Sequence, residues 1–163
     1  MTAWMATKNY WDVDFDKTII LANRANGGKN HMFIGEDGFV HASKGTIAAT
    51  VWKIEDAGDG YVRFLASCGK YLTVADDEPE TYASMEDYAE DDRQKWKLIQ
   101  FTRNYYILVH KKSRCALYEN FLNGKYRLFS TEKDSDTKYL SHLRNNNTKV
   151  NALFCIKNAP WNI

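Results

Sequence analysis

The feature of this sequence that most constrains its fold is a pattern of short apolar segments that occurs three times. Each copy has an opening strand-like segment, two shorter segments that fit a hairpin, and a closing segment built around a large aromatic residue. The aromatic residues are Trp52, Trp96 and Phe154, and the opening segments carry Leu21, Leu65 and Leu108. A recurrence at about 44 residues indicates one supersecondary unit used several times. Three units of four short strands predict a closed β-structure.

The segments between turns have the composition of strands. Residues 62–67 and 105–110 are rich in branched and aromatic side chains, and turn-forming residues bound them. No stretch of roughly ten or more residues keeps the apolar spacing of a helix. With 163 residues, 44% of them hydrophobic, the chain is long enough to bury a core. We therefore predict one domain over residues 1–163, with repeats over about 18–57, 58–102 and 103–157.

Strand parity predicts which side chains form the core. Trp52, Trp96 and Phe154 occupy corresponding apolar segments, so a core position is favoured over a role as exposed sugar-stacking rings. A second set of equivalent inward positions is Met32, Leu72 and Ala116.

Two motifs carry a resemblance to known proteins. The second hairpin contains the segment Gly69-Lys70-Tyr71-Leu72, and closing segments place an aliphatic residue two positions after a tryptophan, as in Trp52-Lys53-Ile54 and Trp96-Lys97-Leu98. Over residues 18–157 the chain resembles β-trefoil proteins, and among them the fascin-like, actin-crosslinking group. The resemblance implies an all-β, single β-trefoil: a six-stranded barrel capped by three hairpins. It also implies a non-enzymatic binding module with actin filaments as the first expected partner. Fascin itself strings four trefoils together, whereas this chain has one.

Charge is segregated along the chain although the net charge is only +1. Residues 76–92 carry nine acidic side chains and no basic one, and residues 131–149 form a second, polar insertion. Loops outside a repeat tend to carry binding specificity, and they are also where insertions are tolerated.

A basic stretch follows the acidic one. From residue 93 to residue 127 there are nine basic side chains, opposed only by Glu119. The predicted partner-binding residues, expected to form one contiguous patch, are Lys95, Lys97, Lys111, Lys112 and Arg114. A patch of this sign would attract an acidic surface, with actin ahead of a phosphoinositide surface or nucleic acid. The alternative is that the acidic segment folds back and neutralises the patch, and the sequence leaves both open.

A carbohydrate-binding lectin is the second predicted function. It would use shallow sites between hairpins, built from aromatic and Asp or Asn side chains. The candidate residues are Asp37, Tyr71, Asp76, Tyr118 and Asn120. A growth-factor-like or protease-inhibitor trefoil ligand is a further alternative, because the loops of this fold serve both functions.

Sequence motifs give no indication of catalysis, a cofactor or a metal. The common nucleophile, phosphate-binding, dinucleotide-binding and zinc-protease motifs are absent, so we do not expect an enzyme or a cofactor. The histidines lack metal-ligand spacing, and the acidic run lacks the order of a calcium loop, so no metal is expected. The histidines are His31, His41, His110 and His142.

Cysteine usage and the N-terminal sequence bear on the compartment. The three cysteines are widely spaced and odd in number, which favours free thiols over disulfides. They are Cys68, Cys115 and Cys155. The sequence contains no apolar run long enough to span a membrane, and its start does not resemble a secretion signal. We therefore expect a cytoplasmic protein.

Overall fold

The computed structural model describes residues 17–23, 30–44, 50–75, 82–102, 105–119, 124–129 and 154–158. Two of the predicted carbohydrate-binding residues, Asp76 and Asn120, and the polar insertion at 131–149 lie outside the described residues. Within these ranges no helix is long and apolar enough to cross a membrane.

The described residues form twelve β-strands, four in each predicted repeat. The first repeat contains β1 (Ile19–Asn23), β2 (Asn30–Ile34), β3 (Val40–Lys44) and β4 (Trp52–Gly58). The second contains β5 (Tyr61–Ala66), β6 (Tyr71–Thr73), β7 (Ser84–Glu86) and β8 (Trp96–Thr102), with a short 3-10 turn at Asp92–Gln94 before β8. The third contains β9 (Tyr105–His110), β10 (Ala116–Glu119), β11 (Tyr126–Phe129) and β12 (Phe154–Asn158).

Six of the strands close into a barrel. In order around the ring, β1 pairs with β4, β4 with β5, β5 with β8, β8 with β9, β9 with β12, and β12 with β1, all antiparallel. Closure leaves the ring without an unpaired edge, which is one way in which all-β folds avoid edge-to-edge association. The predicted six-stranded barrel is confirmed.

The other six strands form three hairpins, β2–β3, β6–β7 and β10–β11, that cap one end of the barrel. Each hairpin joins the barrel where its first strand pairs with the preceding barrel strand, as β2 does with β1. Single bridges link each hairpin to the next. The bridged pairs are Phe39 with Ser84, Tyr82 with Arg127, and Lys125 with His41.

A pseudo-threefold axis runs through this hairpin cap. Residues in equivalent bridges, such as 39, 82 and 125, follow one another at intervals of 43 positions. In each hairpin, the residue between two bridged positions is fully buried. These residues are Val40, Ala83 and Tyr126. The repeat seen in the sequence is therefore a repeat in space, and residues 43 positions apart meet at the axis.

The core agrees with the predicted aromatic positions. Trp52, Trp96 and Phe154 are each fully buried. Each pairs with an equivalent residue of the opening strand beside it, because the registers match Ile19 with Trp52, Val62 with Trp96, and Tyr106 with Phe154. The prediction that these aromatic residues form the core is confirmed.

Two predicted alignments are wrong by one residue. Leu65 is only half-buried, and Phe64 takes the core position equivalent to Leu21. Ala116 is buried, but Leu117 belongs to the central core, where its partner Leu128 lies 43 positions after Met85. Side chains alternate between the two faces of a strand, so a slip of one position exchanges the faces.

A carboxylate is buried between the first and third hairpins. Glu119 is 5% exposed, and the Asn30 side-chain amide donates to both of its oxygens at 3.0 and 3.3 Å. Burial raises the pKa of the Glu119 carboxyl, and the hydrogen bond from Asn30 only partly offsets this. The carboxylate therefore destabilises the fold when it is ionised.

This burial gives a prediction for the pH dependence of stability. The folded protein holds the Glu119 proton more tightly than the unfolded chain, so the free energy of unfolding should fall as pH rises above the ordinary glutamate pKa of 4.5. Glu119→Gln, which keeps the shape and a hydrogen bond to Asn30, should remove that fall. Urea unfolding of both proteins at several pH values between 4 and 8 measures it. Parallel pH profiles would contradict the prediction.

Candidate functional site at the hairpin cap

An open cleft lies between the first and second hairpins of the cap. It has a volume of about 520 Å³. We call it the cap cleft, and its principal lining residues are Asp37, Phe39, Tyr82, Ser84, Met85 and Glu86. Its walls combine aromatic rings, a hydroxyl and carboxylates, which is the mixture of apolar surface and a few polar groups found in small-ligand sites.

A tight turn between β2 and β3 fixes Asp37 at the mouth of the cleft. The Asp37 Oδ1 atom accepts a hydrogen bond from the backbone N–H of Phe39 at 3.0 Å, and the Nε2 atom of His41 lies 2.9 Å from the same oxygen. Gly38 has a φ of 83°, which glycine adopts without steric cost. A Cβ at Gly35 would lie 2.5 Å from the His41 ring, so a glycine is needed there for His41 to reach Asp37.

The charge of Asp37 is stabilised by this turn. The His41 contact lowers the pKa of the Asp37 carboxyl most, followed by the hydrogen bond from Phe39. The side chain remains 43% exposed. It is therefore an ionised acceptor that is held in place yet open to a ligand.

Two aromatic rings form the wall beside Asp37. The ring centroids of Phe39 and Tyr82 lie 6.0 Å apart in an edge-to-face arrangement, which is a favourable geometry for an aromatic pair. The Nζ atom of Lys125 lies 4.9 Å from the Phe39 ring, 5.3 Å from the Tyr82 ring and 3.8 Å from Asp37 Oδ2. Phe39, Tyr82 and Lys125 are the three equivalent residues around the axis, so pseudo-symmetry itself brings them together.

Two further polar residues of the cleft belong to the second hairpin. The Ser84 hydroxyl donates to Glu86 Oε2 at 3.1 Å, and both side chains lie on the outer face of β7. The backbone N–H of Met85 donates to the carbonyl of Gly38 at 3.1 Å and fixes the two hairpins relative to each other. The cleft is thus built on paired strands rather than on a single loop.

The predicted basic residues lie elsewhere, in β8 and in the segments just before β8 and just after β9. Lys95 and Lys111 are brought together by the hydrogen bond from the Lys111 N–H to the Lys95 carbonyl at 2.9 Å. The Nζ atoms of Lys97 and Lys111 both lie over the Tyr61 ring, at 5.4 and 4.7 Å. Lys112 and Arg114 are exposed in the turn that follows β9.

The acidic segment contacts two of these lysines. Lys95 Nζ lies 3.0 Å from Glu90 Oε2, and Lys111 Nζ lies 3.3 Å from Asp92 Oδ1. The hydrogen bond from Lys95 is the main cause of the lowered pKa of the Glu90 carboxyl. At Lys95 and Lys111, the acidic segment therefore folds back on the basic residues, which is the second of the two arrangements expected from the sequence.

The described carbohydrate-binding candidates from the sequence do not share one site. Asp37 lies in the cap cleft. The Tyr71 hydroxyl donates to Glu55 Oε1 at 2.9 Å on the outer side of the barrel, and burial is the main cause of the raised pKa of Tyr71. The Tyr118 hydroxyl accepts a hydrogen bond from Arg127 Nε at 2.7 Å on the third hairpin. The described residues contain no cluster of three or more side chains suited to a metal ion.

No protein-family model matches the chain, and no curated protein matches its sequence. Solved structures do match its fold. ThreeFoil, a designed three-fold symmetric protein, has a TM-score of 0.63 and 19% identity over 86% of this chain and 98% of that one. A Polyporus squamosus lectin bound to Neu5Aca2-6Galb1-4GlcNAc has a TM-score of 0.67 and 14% identity over 87% of this chain. The fold is a β-trefoil.

A third similar structure is a GlcNAcα1-4Gal-releasing endo-β-galactosidase from Clostridium perfringens, with a TM-score of 0.65 and 15% identity over 87% of this chain. The trefoil spans 32% of that enzyme and 49% of the Polyporus lectin. Identities this low establish the fold alone. They do not single out the fascin-like group among β-trefoils.

Sequence reasoning missed most of the cap cleft. Of its lining residues, only Asp37 was predicted, whereas Phe39, Tyr82 and Glu86 were not. The signal that could have found them is the 43-residue interval, which relates Phe39 to Tyr82 and to Lys125 in the trefoil.

Proposed function

We propose that this β-trefoil is a carbohydrate-binding module without catalytic activity, and that the cap cleft holds the sugar. The observation that carries the proposal is the meeting of Asp37, Phe39 and Tyr82 in one open cleft. A pyranose has an apolar face of C–H groups and an edge of hydroxyls. The apolar face packs on an aromatic ring, while the hydroxyls donate to an ionised carboxylate.

The similar structures support this choice and suggest probes. Lectins and carbohydrate-active enzymes are among them, and galactose occurs both in the glycan bound by the Polyporus lectin and in the disaccharide released by the clostridial enzyme. Galactose-containing glycans are therefore the first probes for this chain. The same fold occurs in proteins of other functions, so it is the cleft rather than the fold that supports sugar binding.

The charges of the cleft favour a neutral glycan. Asp37 and Glu86 are both carboxylates, and the Lys125 ammonium is already close to Asp37. An additional anionic group on the ligand would meet net negative charge there. A sialylated glycan should therefore bind more weakly than its neutral counterpart.

The matched pair Galβ1-4GlcNAc and Neu5Acα2-6Galβ1-4GlcNAc tests this prediction. We expect the neutral glycan to bind more tightly, with an affinity that barely changes between low and high salt, because screening over about 8–10 Å affects mainly charge–charge attraction. A glycan array identifies binding, and calorimetry measures the affinities. Tighter binding of the sialylated glycan would contradict the charge argument. Absence of binding to every glycan on the array would overturn the proposed function.

Actin filaments provide the competing test. Lys95 and Lys111 are paired with Glu90 and Asp92, so their charge is compensated within the molecule. We expect the protein to stay in the supernatant when filaments are sedimented at low salt. Salt-sensitive co-sedimentation that is lost on charge reversal of Lys111 and Lys112, together with no glycan binding, would favour the actin hypothesis instead.

A further inference from the structure

The surface depression does not end at the cap cleft. A second depression of about 300 Å³ shares Ala75 and Glu86 with it. Asp87 and Ala89, the sequence neighbours of Tyr88, line this second depression. A ligand seated on Phe39 and Tyr82 therefore has open space beyond Glu86, towards the segment that follows β7.

An exposed aromatic residue stands in that direction. Glu86 pairs across the second hairpin with Tyr71, so their side chains share one face. The Tyr71 ring in turn contacts the Tyr88 ring, with 5.6 Å between centroids. Tyr88 is 54% exposed, the largest exposure of any large hydrophobic side chain in the described ranges.

Tyr88 is held in place on several sides. Its hydroxyl donates to Glu90 Oε1 at 2.9 Å, and the Arg63 guanidinium carbon lies 5.1 Å from its ring centroid. Arg63, itself only 7% exposed, is fixed by a contact of 2.9 Å to Glu90 Oε2. A ring that is already ordered loses little conformational entropy when a ligand packs on it. The contacts with Glu90 and Arg63 thus hold the exposed Tyr88 ring in place.

Residue parity places Tyr82, Ser84 and Glu86 along one line, because they alternate with Ala83 and Met85, which are buried. The alternation ends with β7, since Asp87 is exposed; Tyr88 continues the row through the contact of its ring with that of Tyr71, the cross-strand partner of Glu86. Six residues of extended chain span at most about 20 Å, since each contributes up to about 3.4 Å. The row thus begins and ends with a tyrosine and carries a hydroxyl and a carboxylate between them.

We propose that this row is a binding track for a linear oligosaccharide, with one end of the glycan in the cap cleft and later sugar units reaching Tyr88. The inference rests on the proposed function and adds the ligand class, a chain of several sugars rather than a single terminal unit. Carboxylates at Glu86 and Glu90 accept hydroxyl hydrogens along the track, and the Tyr88 ring packs on an apolar sugar face.

Chain-length dependence tests the track. The probes are Galβ1-4GlcNAc and its linear dimer and trimer, measured by calorimetry on the whole chain. For the unmodified protein we expect affinity to rise by up to roughly tenfold from disaccharide to hexasaccharide, the gain of one added aromatic contact. Tyr88→Ala should lose most of that gain while binding the disaccharide as the unmodified protein does.

The matched control is Tyr88→Phe, which keeps the ring and loses only the hydrogen bond to Glu90. It should retain most of the length dependence, and its melting temperature together with that of Tyr88→Ala reports whether the fold is intact. The track would be contradicted if the unmodified protein bound all lengths equally, or if Tyr88→Ala kept the full gain in affinity with glycan length. Sugar binding in the cap cleft would not be contradicted by either result. If the protein bound none of these glycans, the proposed function would be contradicted, and the track with it.

Discussion

Replacing Trp96 by alanine is expected to lower the free energy of unfolding by about 3–5 kcal/mol, the range measured for buried large aromatic residues. Trp96 is fully buried, and its indole N–H donates to the Leu72 carbonyl at 3.2 Å. The His110 ring packs against it with 4.9 Å between centroids. The substitution removes the packing and leaves a buried carbonyl without its donor. Urea unfolding followed by far-ultraviolet circular dichroism measures the loss.

Two comparisons sharpen this prediction. Lys112→Ala, at an exposed position, should change stability by less than about 0.5 kcal/mol. Trp52 is as deeply buried as Trp96, but its indole N–H has no acceptor among the described residues. Replacement by phenylalanine should therefore be better tolerated at Trp52 than at Trp96. A loss below roughly 1 kcal/mol for Trp96→Ala, as at surface sites, would contradict the register of β8.

The second large effect concerns the cap cleft. Asp37→Asn should weaken glycan affinity by roughly 10- to 100-fold, because hydrogen bonds to a charged acceptor are worth about 1.5–3 kcal/mol. Asparagine keeps an oxygen for the Phe39 N–H, so the turn should persist. The measurement is calorimetric titration with whichever neutral glycan the array identifies.

Asp59→Asn is the control for Asp37→Asn. Asp59 is an exposed aspartate in the turn between β4 and β5, with a φ of 57° that asparagine also tolerates. This substitution removes the same charge at a turn that does not line the cleft, so it should leave affinity unchanged. Equal losses from both substitutions would mean that the effect is one of net charge, and the cleft would not be the site.

The architecture could be predicted because it repeats. Each repeat supplies four strands and a large aromatic residue in its closing strand, and Trp52, Trp96 and Phe154 have equivalent places in the barrel. Aligning the repeats by shared residue type gave the wrong equivalent at individual positions. Matching Leu21 to Leu65 followed the shared leucine, whereas the buried equivalent is Phe64. An apolar run such as Val62-Arg63-Phe64-Leu65 contains apolar residues on both faces, so its composition does not fix parity.

The cap cleft was harder to predict because its lining residues come from two different repeats. Phe39 and Tyr82 are 43 positions apart in the sequence and 6.0 Å apart between ring centroids. Sequence reasoning that weighs each hairpin separately does not bring them together. The same holds for charge: the runs of acidic and basic residues are evident in the sequence, but the contacts of Glu90 with Lys95 and of Asp92 with Lys111 depend on the path of the chain after β7.

The closure of the barrel by β1 and β12 has a practical consequence. Ile19 pairs with Asn158, so the chain enters and leaves the barrel side by side. β1 runs from Ile19 towards Asn23 and then leads to the first hairpin, which puts this shared entry point at the pole away from the cap. A label, a solid support or a second protein attached beside Ile19 or Asn158 would be anchored at that pole. The cap cleft would then face outward, and a row of such molecules fixed to a surface would present all of their clefts to the solution.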